Sequence, residues 1–274
     1  MIRRQEIPNL AVSVLPVVII LVAFFVLPFA RLFAASFDGP QGPAVYARVL
    51  TDPRYLSSLL STVVLALAVT FATLLISGIA GVFLDRNRFP GRPILVAMLT
   101  LPLAFPGVVV GFMVIMLAGR QGAIGEIAKL VSGRNLVFAY SIAGLFLGYV
   151  YFSIPRVILT VMASAEKLDR SIEEAARSLG ASSWRVVVDV IIPGLMPAFV
   201  SAGAICFATA MGAFGTAFTL ATDINVLAMT IYTEFTLRAN IATAAALSVV
   251  LGAITWIVLA IARTAAGNAV AAAG

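Results

Sequence analysis

Nine ionisable residues of this chain fall within one short stretch, Ala165 to Pro193, which reads AEKLDRSIEEAARSLGASSWRVVVDVIIP. They are Glu166, Lys167, Asp169, Arg170, Glu173, Glu174, Arg177, Arg185 and Asp189, in a protein whose charged fraction is only 11%. Long apolar runs precede and follow the stretch. A segment this polar is costly to place in hydrocarbon, so it must lie in water, at a membrane surface or against another protein. Bond-making chemistry is poorly served: histidine is absent, which removes imidazole metal sites and most His-based acid–base catalysis. The one cysteine, Cys206, sits in an apolar run and supports neither a disulfide framework nor a metal cluster. What the spacing does offer is a shape. Ser171 to Leu179 suit a short helix, Gly180 supplies its stop, and Ala181 to Trp184 begin a second helix with Ser182 or Ser183 as N-cap. Two helices meeting at a glycine, with small alanines on one face, make a compact knob that fits a groove. An ordinary solvated loop is the plainer alternative.

The elements that position this knob must cross a membrane. Hydrophobic residues make up 62% of the chain, the mean hydropathy is +1.09, and 18 Lys+Arg stand against 12 Asp+Glu. Those values belong to a polytopic membrane protein and exclude a basic soluble domain that binds nucleic acid; the excess positive charge is a matter of topology. The predicted fold is all-α, a single transmembrane domain over the whole chain. Six spans are expected at about 10–35, 56–84, 94–118, 136–163, 195–220 and 241–262. Arg3 and Arg4 ahead of the first run, with Ala34-Ala35-Ser36 after it, resemble a signal peptide. The run exceeds the ~7–15 residues of a signal core and matches the ~20 that span a bilayer, so it reads as a retained helix with a cytoplasmic N-terminus. Phe37 to Tyr55, with the breakers Gly39-Pro40 and Gly42-Pro43, and Gly119 to Asn135 read as outside loops. Asp223, Glu234 and Arg238 mark a third outside segment.

The third span carries Leu101-Pro102-Leu103-Ala104-Phe105-Pro106-Gly107 at mid-depth. Two prolines four apart remove backbone donors and clash with the preceding turn, so the helix should kink or unwind there. A broken helix in hydrocarbon is tolerated where it lines a cavity or is covered by protein, so the break either lines a pathway or is a bent packing element. Gly107/Gly111 and Gly144/Gly148 have the spacing that lets helices approach closely. The positive-inside rule sets the orientation: Arg3, Arg4, Arg86, Arg88, Arg92, Arg156, Lys167, Arg170, Arg177, Arg185 and Arg263 are placed inside. Arg31, Arg48, Arg54, Arg120, Lys129, Arg134 and Arg238 are placed outside.

What the chain lacks narrows its function. No span interior holds a carboxylate of the kind that proton- or sodium-driven transporters use, and no G-x-x-x-x-G-K-[ST] loop is present to cradle a nucleotide. If the protein moves solute uphill, the energy enters from another chain, and residues 165–193 are where a partner could push. A passive channel would need the same spans but not the knob. A membrane-embedded enzyme would need convergent polar groups beyond scattered Ser and Thr.

Glu174-Ala175-Ala176, then Gly180, then Val190-Ile191-Ile192-Pro193 resembles the signature loop of permease subunits of binding-protein-dependent (type I) ABC importers. Val190 and Ile192 stand where Ile and Leu are usual, a volume-conserving departure. The loop's position between the fourth and fifth spans extends the resemblance over most of the chain. The resemblance implies an inner-membrane permease that is not itself an enzyme and binds no cofactor, with ATP and Mg held by a partner. It assigns ATPase coupling to Glu173, Glu174, Ala175, Ala176, Ser178, Leu179, Gly180, Ala181 and Pro193, with Glu174 as the acidic contact. The implied partners are two nucleotide-binding subunits, a second permease expected to be a different chain, and a soluble binding protein. The third-span phrase is most similar to the group serving spermidine/putrescine, ferric iron, sulfate/molybdate and aminoethylphosphonate or opine-type solutes; a polyamine or related small organic nitrogen compound is the expected solute, with ferric iron, a phosphonate or an oxyanion as the alternative. Ala213 ahead of Phe214-Gly215, where the sulfate and molybdate branch often has an acid, points away from oxyanions. Pro102, Pro106, Met211 and Phe214 are either a gate or core packing.

Overall fold

The computed structural model describes residues 6–220 and 225–273; Arg3, Arg4 and Asp223 lie outside them. The described residues are helical with no strand. Six helical stretches are long and apolar enough to cross a membrane: Val14–Ala35, Pro53–Arg86, Gly107–Ser132, Ile142–Ala165, Ser183–Gly212 and Ile241–Thr264.

The chain divides into two compact units, one holding the residues up to Leu56 with Thr230–Val250, the other Ser57–Met229 with the chain from Leu251. In the first, α1 (Glu6–Leu21) runs through a π turn, Val22–Val26, into α2 (Leu27–Ala35). Pro28 explains the wide turn: its ring would clash with the carbonyl four residues back, and an i→i+5 bond from Leu27 N–H to Val22 O relieves the crowding. The stretch 37–55, expected as a loop, folds after its Gly-Pro breakers into α3 (Ala44–Thr51), whose Val45 and Val49 are buried one turn apart. Glu234, expected as a marker of an exposed segment, is fully buried. It sits in a π turn, Thr233–Leu237, 3.0 Å from Arg238 and 3.5 Å from Arg54. Two guanidinium groups make burial of that carboxylate tolerable.

The second unit is built on α8 (Ile142–Ala165), half of whose apolar stretch is buried. Around it stand α4 (Pro53–Arg86), α6 (Gly107–Ala118), α11 (Ile192–Gly212) and the short α12 (Gly215–Leu220), over a core that includes Val69, Val114, Leu145, Val161, Leu195 and Phe207. The expected third span is not one helix. α5 (Arg92–Thr100) tightens into a 3₁₀ turn at Leu101–Ala104, Phe105 and Pro106 are extended, and α6 starts at Gly107. The break falls where the two prolines demand it. The apolar stretch then continues through α7 (Ala123–Ser132), inside what was expected as a loop; Gly133, at φ 68°, ends it in the left-handed conformation.

Three of the four paired glycines make close approaches to neighbouring helices; the fourth does not. A Cβ on Gly111 would lie 2.6 Å from Thr219 Cβ, one on Gly148 3.0 Å from Thr216 Cγ2, and one on Gly107 3.1 Å from Thr216 Oγ1. Gly144 instead meets the Ala139 carbonyl of the turn leading into its own helix. Gly111→Ala is expected to cost about 1–3 kcal/mol by overpacking α6 against α12, read as a lower melting temperature in detergent. A melting temperature equal to wild type would show that this contact has slack.

Candidate functional site

The knob forms, and its stop is set by backbone chemistry. α9 (Arg170–Ser178) is capped by Asp169, whose carboxylate accepts from Ser171 N–H at 2.9 Å. That backbone donor holds the Asp169 carboxyl below its usual range. At the other end Gly180 takes φ 86°. Its N–H bonds Arg177 O at 2.9 Å, and Ala181 N–H reaches back to Ala176 O at 3.0 Å. This pair of bonds ends the helix and reverses the chain, and only glycine enters that φ without strain.

Ser182 rather than Ser183 caps α10 (Ser183–Val186), accepting from Arg185 N–H at 3.4 Å. α10 is not the separate second helix expected from the sequence. It continues through a π turn, Val187–Ile191, into α11, so Ser183–Gly212 is one helical run. Pro193 is the reason for the turn: it cannot donate a bond and would crowd the Asp189 carbonyl, and Ile192 N–H bonds Val187 O instead. Any force applied at α10 therefore acts on the end of that long apolar helical run with no break between.

Adjacent carboxylates in α9 have different environments. Glu173 is buried and accepts from the Arg86 guanidinium at the end of α4. Arg86 also lies 3.3 Å from Asp85, and Arg170 lies 3.7 Å from the same Asp85. These four residues clamp α9 to α4. Glu174 is exposed, as are Ala175, Ser178 and Gly180, while Ala176 and Ala181 are half-buried against the core. Three large apolar side chains stand out from this otherwise polar knob: Leu179 at 89% exposure, Trp184 at 73% and Ile172 at 56%. Of the residues assigned to coupling, Glu173 is thus turned inward as a clamp. Glu174 and Leu179 face outward, and Pro193 shapes the junction with α11. Trp184 and Ile172 were not among the assigned residues; large apolar groups inside a charged run were the available signal.

The residues assigned to a gate do not share a surface. Pro102 and Met211 are buried, with Met211 in the core, whereas Pro106 and Phe214 are exposed. Phe214 stacks against Phe218 with ring centres 5.2 Å apart. What the fold does join is the break at Phe105–Pro106 and a second break at Ala213–Phe214, both against α8. Thr216 Oγ1 donates to Gly107 O at 2.9 Å, and the Tyr149 hydroxyl donates to Ala213 O. Between them lies a cavity of about 230 Å³ lined by Gly107, Tyr149, Phe152, Ser153, Thr209 and Thr216 among others. Arg156, counted among the inside cations, is the fifteenth residue of α8, nine residues before its end at Ala165, and donates to Thr209 at 3.0 Å.

Comparison with known proteins gives a consistent picture. A family model described as "Binding-protein-dependent transport system inner membrane component" matches residues 74–267. The chain is 36% identical over 180 residues to the molybdenum transport system permease protein ModB of Escherichia coli (strain K12), covering 64% of this chain and 76% of that protein. It is 31% identical over 237 residues to sulfate permease 2, chloroplastic, of Chlamydomonas reinhardtii, covering 84% of this chain and 63% of that one. A chain of the bacterial alginate ABC transporter, in complex with its alginate pentasaccharide-bound periplasmic protein, has the same fold, with a TM-score of 0.78 over 94% of this chain and 93% of its own at 15% identity. The two sequence relatives are named for molybdenum and sulfate, which matches the oxyanion alternative rather than the expected polyamine. The third-span phrase encodes a backbone break, a feature independent of solute. Ala213, read as evidence against oxyanions, presents its carbonyl rather than its side chain to Tyr149. Six apolar helices, a non-catalytic transport role and a match over most of its length place this chain in the family of inner-membrane permease components of binding-protein-dependent ABC importers.

Proposed function

We propose that this chain forms half of the translocation pathway of an ATP-driven importer of a tetrahedral oxyanion of the sulfate or molybdate type, and that it is driven through the α9–α10 knob. The observation that carries the coupling role is the exposure of Glu174, Leu179 and Trp184 on a knob clamped from behind by Arg86 and Glu173. Large apolar groups standing exposed beside a carboxylate suit a cleft in a partner protein rather than water. In this reading the knob and the N-terminus are cytoplasmic. Two nucleotide-binding subunits supply ATP and Mg, a second permease completes the pathway, and a soluble binding protein delivers the solute. Closure of the ATPases on nucleotide moves α9–α10, and the unbroken run into α11 carries that motion to membrane depth. The oxyanion assignment rests on the two relatives.

The test is reconstitution of the chain in liposomes with its co-purified ATPase and its binding protein. Sulfate or molybdate, and not spermidine, is expected to stimulate ATP hydrolysis and to accumulate inside. Conductance by the permease alone, without an ATPase, would establish a channel instead.

A further inference from the structure

Arg156 stands about 21 Å along α8 from Ile142 and about 13 Å short of Ala165, at 1.5 Å per residue. In a hydrocarbon layer of about 30 Å that places its backbone at membrane depth. A guanidinium stays protonated at any accessible pH, and a charge facing lipid at that depth costs several kcal/mol. Such a group needs a counter-charge, yet among the described residues no carboxylate lies within ion-pair distance of Arg156. Its side chain is exposed, its guanidinium lies 6.0 Å from the Phe152 ring centre, and it donates to Thr209 at 3.0 Å.

Phe152 and Thr209 both line the 230 Å³ cavity at the two helix breaks, so the cation stands at the lip of that cavity. Inside it, Ser153 is 6% exposed and lines the cavity wall, one helical turn from Arg156 on the same helix. The cavity is smaller than the ~300–1,000 Å³ of sites for drug-sized ligands, which suits an ion of a few atoms.

We infer that Arg156, with Ser153 and Thr209, forms a weak anion-contact site within the pathway, where the guanidinium fork takes two oxygens of the passing oxyanion and the Ser153 hydroxyl donates to a third. The inference rests on the oxyanion reading given above and adds to it a place and a residue. A fixed cation here favours an anion electrostatically and repels a polycation, so the permease itself discriminates against polyamines.

The complex of permease, ATPase and binding protein in liposomes is assayed for uptake of radiolabelled sulfate and molybdate and for ATP hydrolysis. Arg156→Gln is expected to lower uptake about tenfold or more, the equivalent of one lost charge-assisted contact, while binding-protein-stimulated hydrolysis stays within about twofold. Arg156→Lys, which keeps the charge, is expected to retain about a third of wild-type uptake, and Ser153→Ala to lower it about threefold. Wild-type uptake by Arg156→Gln overturns the inference. So does an equal collapse of assembly, uptake and hydrolysis in Arg156→Gln and Arg156→Lys, which would make Arg156 a packing residue facing the second permease. A wild-type complex that takes up spermidine and neither oxyanion overturns the oxyanion reading itself, and this site with it.

Discussion

Glu174→Lys is expected to abolish transport while the protein still inserts and folds. The carboxylate is exposed on α9, one residue beyond a carboxylate already committed to an internal clamp, so reversing its charge disturbs nothing within the chain. If it meets a basic group in the ATPase cleft, reversal turns a desolvated attraction into repulsion. The cost is about 2–5 kcal/mol, a loss of some thirtyfold or more in affinity for the ATPase. Gly180→Trp tests the same joint by another route. At φ 86° any other residue is strained by about 1–3 kcal/mol, but no atom lies within 4 Å of the position its Cβ would take. The bulk therefore projects into open space and meets no atom of this chain. Both variants are read by co-purification of the ATPase and by uptake, with thermal melting as the control for folding. Uptake at wild-type rate in both would remove the docking role from this knob.

Arg86→Ala is expected to be the most destabilising single change in the knob's support. Arg86 contacts Asp85 and Glu173 together, and its side chain is 15% exposed. Its removal leaves two nearby carboxylates without their shared cation. Breaking a buried pair in this way costs about 3–5 kcal/mol. Glu173→Gln should cost less, since Arg86 keeps Asp85, and Glu174→Gln should cost almost nothing. Melting temperatures of the three variants rank the effects, and transport separates them further. Arg86→Ala loses stability and transport together, whereas Glu174→Lys loses transport alone. Equal melting temperatures for Arg86→Ala and wild type would mean that the clamp is not what seats α9.

Much of this molecule was legible before any coordinates. The helix stop at Gly180, the cap on α10 and the break at Pro102–Pro106 are short-range events, governed by φ preferences and missing donors within a few residues. Hydropathy found the apolar runs for the same reason, although the third expected span, 94–118, is broken and the long apolar helix there is Gly107–Ser132. Other features depend on what lies opposite in space. Glu173 and Glu174 are neighbours of identical chemistry, and nothing local says that one turns inward to Arg86, 87 residues earlier in the chain. Met211 and Phe214 both suit a gate by type, yet one belongs to the core and the other is exposed. Glu234 was misplaced for a related reason: charge alone suggested an outside segment, while Arg54 and Arg238 allow it to be buried.

Composition and spacing by themselves determined that this chain spans a membrane in helices and carries a polar knob ended by a glycine, because each follows from transfer cost or backbone sterics over a few residues. Only the tertiary structure decided which carboxylate clamps and which is presented, that α10 runs without a joint into α11, and that two helix breaks and Ser153 meet around one cavity. Those facts arise from contacts between segments far apart in the chain, where burial and partner choice outweigh any local preference.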